Sequence, residues 1–107
     1  MLMLALALLT AGLSVTPNGC ADRYATADAA RVKADEQIRR RRFAAANATL
    51  SAALEDLGDV APPRATIVDH TDMNLLHADG LVRRGLTQTA VTTKRRILDT
   101  RLKWCSG

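Results

Sequence analysis

The sequence is short of the residues that build thick cores and of those that carry out chemistry. Its 107 residues include only three aromatic side chains, Tyr24, Phe43 and Trp104. Alanine carries much of the 48% hydrophobic content, and each alanine removes little area from water. A chain of this size has a marginal core, so thin helix–helix packing, or a partner, has to supply stability. Histidine occurs at 70 and 77, cysteine at 20 and 105. No HExxH, CxxC, Walker or GxSxG pattern is present. Nothing supplies a nucleophile, a base and an oxyanion site together, so a non-enzyme is expected. His70 and His77 lie in the densest polar stretch, DHTDMNLLHADG, with Asp69, Asp72 and Asp79. On a continuous helix they share a side but stand ~10 Å apart along the axis, too far for one zinc ion. No metal and no cofactor is expected. Asn47-Ala48-Thr49 matches a glycosylation sequon, but it falls where a helix is expected.

Charge is missing from the start of the chain. Residues 1–15 carry none, and Leu2, Leu4, Leu6, Leu8, Leu9 and Leu13 make them strongly apolar. Pro17, Asn18 and Gly19 end any helix there. Fifteen helical residues span ~22 Å, short of a ~30 Å hydrocarbon core. That length suits a signal-peptide core, and extension through Cys20 and Ala21 makes a short anchor. Residues 1–21 are therefore expected to engage a membrane as signal peptide or anchor. The basic flank of such segments is absent, so an upstream start is a further expectation. Cys20 has three competing fates. Gly19-Cys20 fits a lipobox except for Pro17 in the leucine position. Gly19 and Ala21 are spaced for cleavage after Ala21. An uncleaved anchor keeps Cys20 and Cys105 together on the exported side, and is preferred.

The rest reads as all-α. From Asp22 to Leu57 there is no glycine and no proline, which predicts one long Ala/Arg-rich helix over 22–57, ~54 Å in length, between Asp22 and Gly58. Phe43, Ala46, Leu50, Ala53 and Leu57 form its apolar seam. Arg39-Arg40-Arg41-Arg42 would wrap around such a helix as a solvated collar instead of forming one basic face. A soluble nucleic-acid binder is accordingly the least favoured alternative. Pro62-Pro63 makes 58–70 a hinge. Residues 71–107 form a helical C-terminal region. A short helix starts at Thr71 or Asp72 and ends at Gly80, and an amphipathic helix runs from Thr87 to Trp104. Val91, Leu98 and Leu102 are expected to pack on Phe43, Leu50 and Leu57. The net charge is +4, and the whole excess lies in the last fourteen residues, where Lys94, Arg95, Arg96, Arg101 and Lys103 face only Asp99. With Trp104, these cations are the expected contact for a protein partner or a membrane surface.

The arms 22–57 and 71–104 are nearly equal in length. Folded back at the hinge as a helical hairpin, they bring Cys20 and Cys105 together for an intrachain disulfide. Chains lined up in parallel would instead form Cys20–Cys20 or Cys105–Cys105 links in a homodimer. A secreted or lipidated bacterial protein with self-packed helices remains an alternative.

The layout is an apolar N-terminal segment, a long Ala/Arg-rich helix, a proline hinge and a basic helical end. It resembles the inner-membrane subunit of phage spanins, the Rz-like lysis proteins. The resemblance implies an inner-membrane anchor at 1–21, an outward-reaching periplasmic helix at 22–57 and a partner-binding end at 87–107 that acts in host lysis.

Overall fold

The computed structural model describes residues 20–64 and 66–106. The proposed signal or anchor segment therefore lies outside the described residues but for its last two positions. Four helices follow in order: α1 (Ala21–Arg39), α2 (Phe43–Leu57), α3 (Thr71–Arg83) and α4 (Thr87–Ser106). There is no strand among the described residues, and the fold is all-α. None of these helices is long and apolar enough to cross a membrane.

The expected single helix over 22–57 is two helices. Helix α1 stops at Arg39, and the backbone reverses through Arg40, Arg41 and Arg42. The N–H of Arg42 donates to the Gln37 carbonyl at 2.8 Å and that of Arg41 to the Ile38 carbonyl at 2.9 Å. This nested pair is a Schellman ending. Its left-handed position is filled by Arg41, with φ 59°, where glycine is usual. The second reversal has the same hydrogen-bond pattern. Leu86 donates to Leu81 and Gly85 to Val82, both at 2.9 Å, with Gly85 at φ 81°.

Reversal at 40–42 lets α1 cover α2, and the two helices pack together. Helix α1 offers a thin strip, with Ala27 and Ala34 buried and Ala30 and Ile38 half-buried. Helix α2 buries Ala46, Leu50, Ala53, Leu54 and Leu57 at helical spacing. Helix α4 packs on both with Val91, Ile97, Leu98 and Leu102. Helix α3 approaches α4 alone, through Ala78, Leu81 and Ala90. Phe43 is half-buried at the start of α2.

Helix ends follow their local chemistry. Gly58 closes α2 at φ 70°. Asp69 organises the start of α3, accepting from the Thr71 N–H at 2.8 Å and the Thr71 hydroxyl at 2.6 Å. Helix α3 passes through Gly80, where the sequence predicted its end, and continues to Arg83.

Cys20 and Cys105 form a disulfide with Cα atoms 5.8 Å apart. It joins the start of α1 to the end of α4, so both arms return to one end of the bundle. They do so as two stacked hairpins, with 58–70 connecting them.

Candidate functional site

Helix α4 carries the cations that the sequence marked for an external partner, and three of them turn inward. Lys94 is 2% exposed and Arg101 is 3% exposed. The Lys94 Nζ donates to Asn47 Oδ1, Ser51 Oγ and Asp79 Oδ1, each at 2.8 Å. One ammonium thus ties α2, α3 and α4 together. A full set of acceptors is what burial of a charge requires. Arg101 donates to the Thr71 hydroxyl at 3.1 and 3.2 Å, to Asp72 Oδ1 at 2.8 Å and to the Gly58 carbonyl at 3.4 Å. Its planar fork fixes the connection between α2 and α3.

Arg95 reaches α1. Its Nε and Nη2 donate to the two Asp35 carboxylate oxygens at 2.6 and 3.0 Å, and it also pairs with Asp99. The bidentate bond from Arg95 holds the Asp35 carboxyl below its ordinary value of 3.8, against a smaller opposing push from burial; the charges of Arg95, Arg31 and Arg39 add to the lowering. The same bond raises the Arg95 guanidinium, which burial works against and Asp99 reinforces. Burial pushes the Asp69 carboxyl up, but the two Thr71 hydrogen bonds and nearby Arg101 outweigh it and the net shift is downward.

Lys94, Arg95 and Arg101 therefore serve the protein's own interior instead of an external partner. Apolar bulk is scarce in this chain, and the long stems of buried Lys94 and Arg101 take up space between α2, α3 and α4. Arg96 and Lys103 remain exposed and Trp104 is half-buried.

A cleft of about 360 Å³ lies between α2, α3 and α4. Leu54 and Leu75 wall it, Arg101 lies along it, and Glu55, Asp59, Asp72 and Asp79 line its edges. Asp72 is engaged by Arg101 and Asp79 by Lys94. Among the described residues no group of His, Cys, Asp and Glu side chains is placed to hold a metal ion. His70 precedes α3 and His77 lies on its exposed side.

The two chain reversals lie at the end opposite the disulfide. The Asp35–Arg95 and Lys94–Asn47 bonds set the levels, so the start of α4 stands beside the 40–42 turn. Arg40, Arg41, Arg42, Arg83 and Arg84 are all exposed there. Glu36 pairs with Arg39 and Arg40, and Arg41 lies over the Phe43 ring with its guanidinium 5.7 Å from the centroid. Helix α2 has no side-chain cap, and neither α2 nor α4 has an acidic residue in its first turn. At the disulfide end, α1 and α3 each carry one, Asp22 and Asp72. Helix N-termini are partly positive and normally draw acidic side chains. Arginines in their place make this end an anion-attracting surface.

Nothing in the composition marked this surface, because Arg83 and Arg84 are remote in sequence from Arg40–Arg42. The inward cations did leave a signal. Lys94 is four residues from Ala90 and Leu98, and Arg101 is three from Leu98, inside the apolar repeat. Comparison with protein-family models, with curated proteins and with solved structures gave no match to this chain.

Proposed function

We propose that the protein is an exported, membrane-tethered helical interaction module. Its apolar N-terminal segment holds it at the membrane, and its arginine end meets anionic groups. The observation that carries this is the Cys20–Cys105 disulfide. Structural disulfides persist in oxidising compartments. This one begins where the apolar segment ends.

The same bond weighs on the alternatives. A lipid thioether on Cys20 would need the sulfur that the disulfide uses. Cleavage after Ala21 would remove Cys20 and leave Cys105 without its partner. The spanin-like layout asks residues 87–107 to reach away from the anchor, whereas a bond from Cys105 to Cys20 returns them to it. The compact, tethered form therefore has more support than the extended one. The interaction role does not require chemistry at the cleft, whose Lys94 and Arg101 are committed to structural bonds.

Cell fractionation with a non-reducing gel tests the proposal. The expected result is a membrane-associated monomer whose mobility changes on reduction. A soluble chain with free thiols, or a disulfide-linked dimer, would contradict it. Salt-sensitive DNA binding by a soluble chain would favour the nucleic-acid alternative instead.

A further inference from the structure

The outward side of α3 is unpartnered and has an unusual composition. Met73, Leu76, Gly80 and Arg83 recur at helical spacing on the side turned away from Thr71, Ala78 and Leu81. Met73 is 72% exposed and Leu76 is 69% exposed, and Val68 just before the helix is 69% exposed. Three large apolar side chains thus stand in water within one short stretch of a protein that has few to spare. The cations Arg83 and Arg84 follow at the far end of the same helix, both exposed. The nearest carboxylates are Asp69, exposed beside Val68 and bonded to Thr71, and two on the adjoining flank of the helix. Asp72 and Asp79 sit on the flank of α3 that faces the cleft, where Arg101 and Lys94 hold them.

The place of the apolar residues matters. Arg101 binds Thr71 one turn before Cys105, which is bonded to Cys20. The start of α3 is therefore at the same end of the bundle as Cys20, the residue to which positions 1–19 are joined in sequence. Those residues contain a fifteen-residue uncharged run. A segment apolar on every side needs full cover or a membrane. Three exposed side chains on α3 are too few to cover it.

The geometry points to the outward face of α3 as a docking surface for an anionic bilayer, the one that residues 1–15 enter. Val68, Met73 and Leu76 would enter the interfacial layer close to the tether. Arg83 and Arg84 would reach phosphate oxygens further along. Helices that rest on membranes divide their residues in this way, and juxtamembrane cations gain from anionic lipid. A nucleic acid fits the face less well, since no exposed aromatic ring lies on it for stacking. The inference rests on the membrane tether proposed above.

The three methionines, Met1, Met3 and Met73, allow a test on the unaltered full chain. Methyl-labelled protein is placed in nanodiscs of phosphatidylcholine with and without phosphatidylglycerol. Relaxation by a headgroup spin label and by a soluble paramagnet is then read at each methionine. The expected result is strong lipid-label relaxation at Met73 in the anionic discs, with protection from the soluble agent. Added salt and an Arg83→Ala/Arg84→Ala variant should each reduce that relaxation several-fold while helicity is retained. Met73 fully open to the soluble agent, with Met1 and Met3 in the lipid, would overturn the docking surface and leave the tether standing. Protection of Met73 without lipid relaxation would assign the face to a second copy or another protein, and would also overturn it. Met1 and Met3 outside the lipid would remove the tether, and the docking surface with it.

Discussion

Removing the disulfide should cost this protein a large share of its stability. The bond closes 85 residues of separation, and loop-entropy scaling puts such a closure at about 4.5 kcal/mol. A body of this size has roughly 4–13 kcal/mol in total. The thin alanine strip of α1 gives little apolar burial to compensate. Without the bond, the first turn of α1 and the last turn of α4 lose their link at Cys20, a fully buried residue. The Cys20→Ala/Cys105→Ala variant should therefore melt about 20–35 °C lower, at roughly 4–8 °C per kcal/mol, or fail to fold cooperatively at 37 °C. Circular dichroism melts in a neutral detergent, with and without reductant, measure this. Reductant should lower the native melt and leave that of the variant unchanged. A difference worth less than about 1 kcal/mol would refute loop closure as a main source of stability.

Lys94→Met keeps the bulk of the side chain but leaves Asn47 and Ser51 without their donor. It should lose about 1–3 kcal/mol in urea unfolding, with half-exposed Asp79 turning to water. The Asp35 carboxyl is held below 3.8 in the folded chain, so it stabilises the fold above that pH and stops doing so as pH falls through the lowered value. Asp35→Asn should be less stable than the native chain near neutrality, with the gap closing from about pH 4 downward; a constant gap across an acid titration of urea midpoints would contradict this. Arg41→Gly relieves a left-handed conformation that costs a side chain about 1–2 kcal/mol, partly offset by glycine's greater unfolded entropy. Its unfolding free energy should rise by about 0.5–1 kcal/mol, and an unchanged or lower value would show that the contact with Phe43 outweighs the strain.

The helical class and the stop at Gly58 could be read from residue order because each rests on local chemistry. The Cys20–Cys105 bond was one of several fates the sequence left open, and the length match behind it assumed a single hairpin with 58–70 at the far end, whereas two hairpins place 58–70 at the disulfide end. The break at Arg40–Arg42 could not be read from residue order. Arginine is a good helix former, and the left-handed position at 41 carries neither the glycine nor the asparagine that usually marks one. What breaks the helix there is tertiary: a continuous rod would leave the Leu50–Leu57 seam without α1 as cover. The cations of α4 were legible as charges but not as interior groups, since the acceptors that draw them inward lie on other helices: Asn47 and Ser51 are 47 and 43 residues from Lys94, and Asp35 is 60 from Arg95. Periodicity alone placed Lys94 on the solvated side, although its spacing from Ala90 and Leu98 was equally consistent with the buried one. The arginine end depends on two reversals meeting at one level, which no local pattern records.

The central claim is that a retained N-terminal segment and an intrachain disulfide belong to one membrane-held chain. Intact mass spectrometry of the chain recovered from the membrane fraction, alkylated before and after reduction, tests it most directly. The account predicts a chain that still contains residues 1–21, takes up no alkyl group before reduction and takes up two after it. A mature chain beginning after Ala21, or two alkyl groups on the unreduced protein, would contradict it.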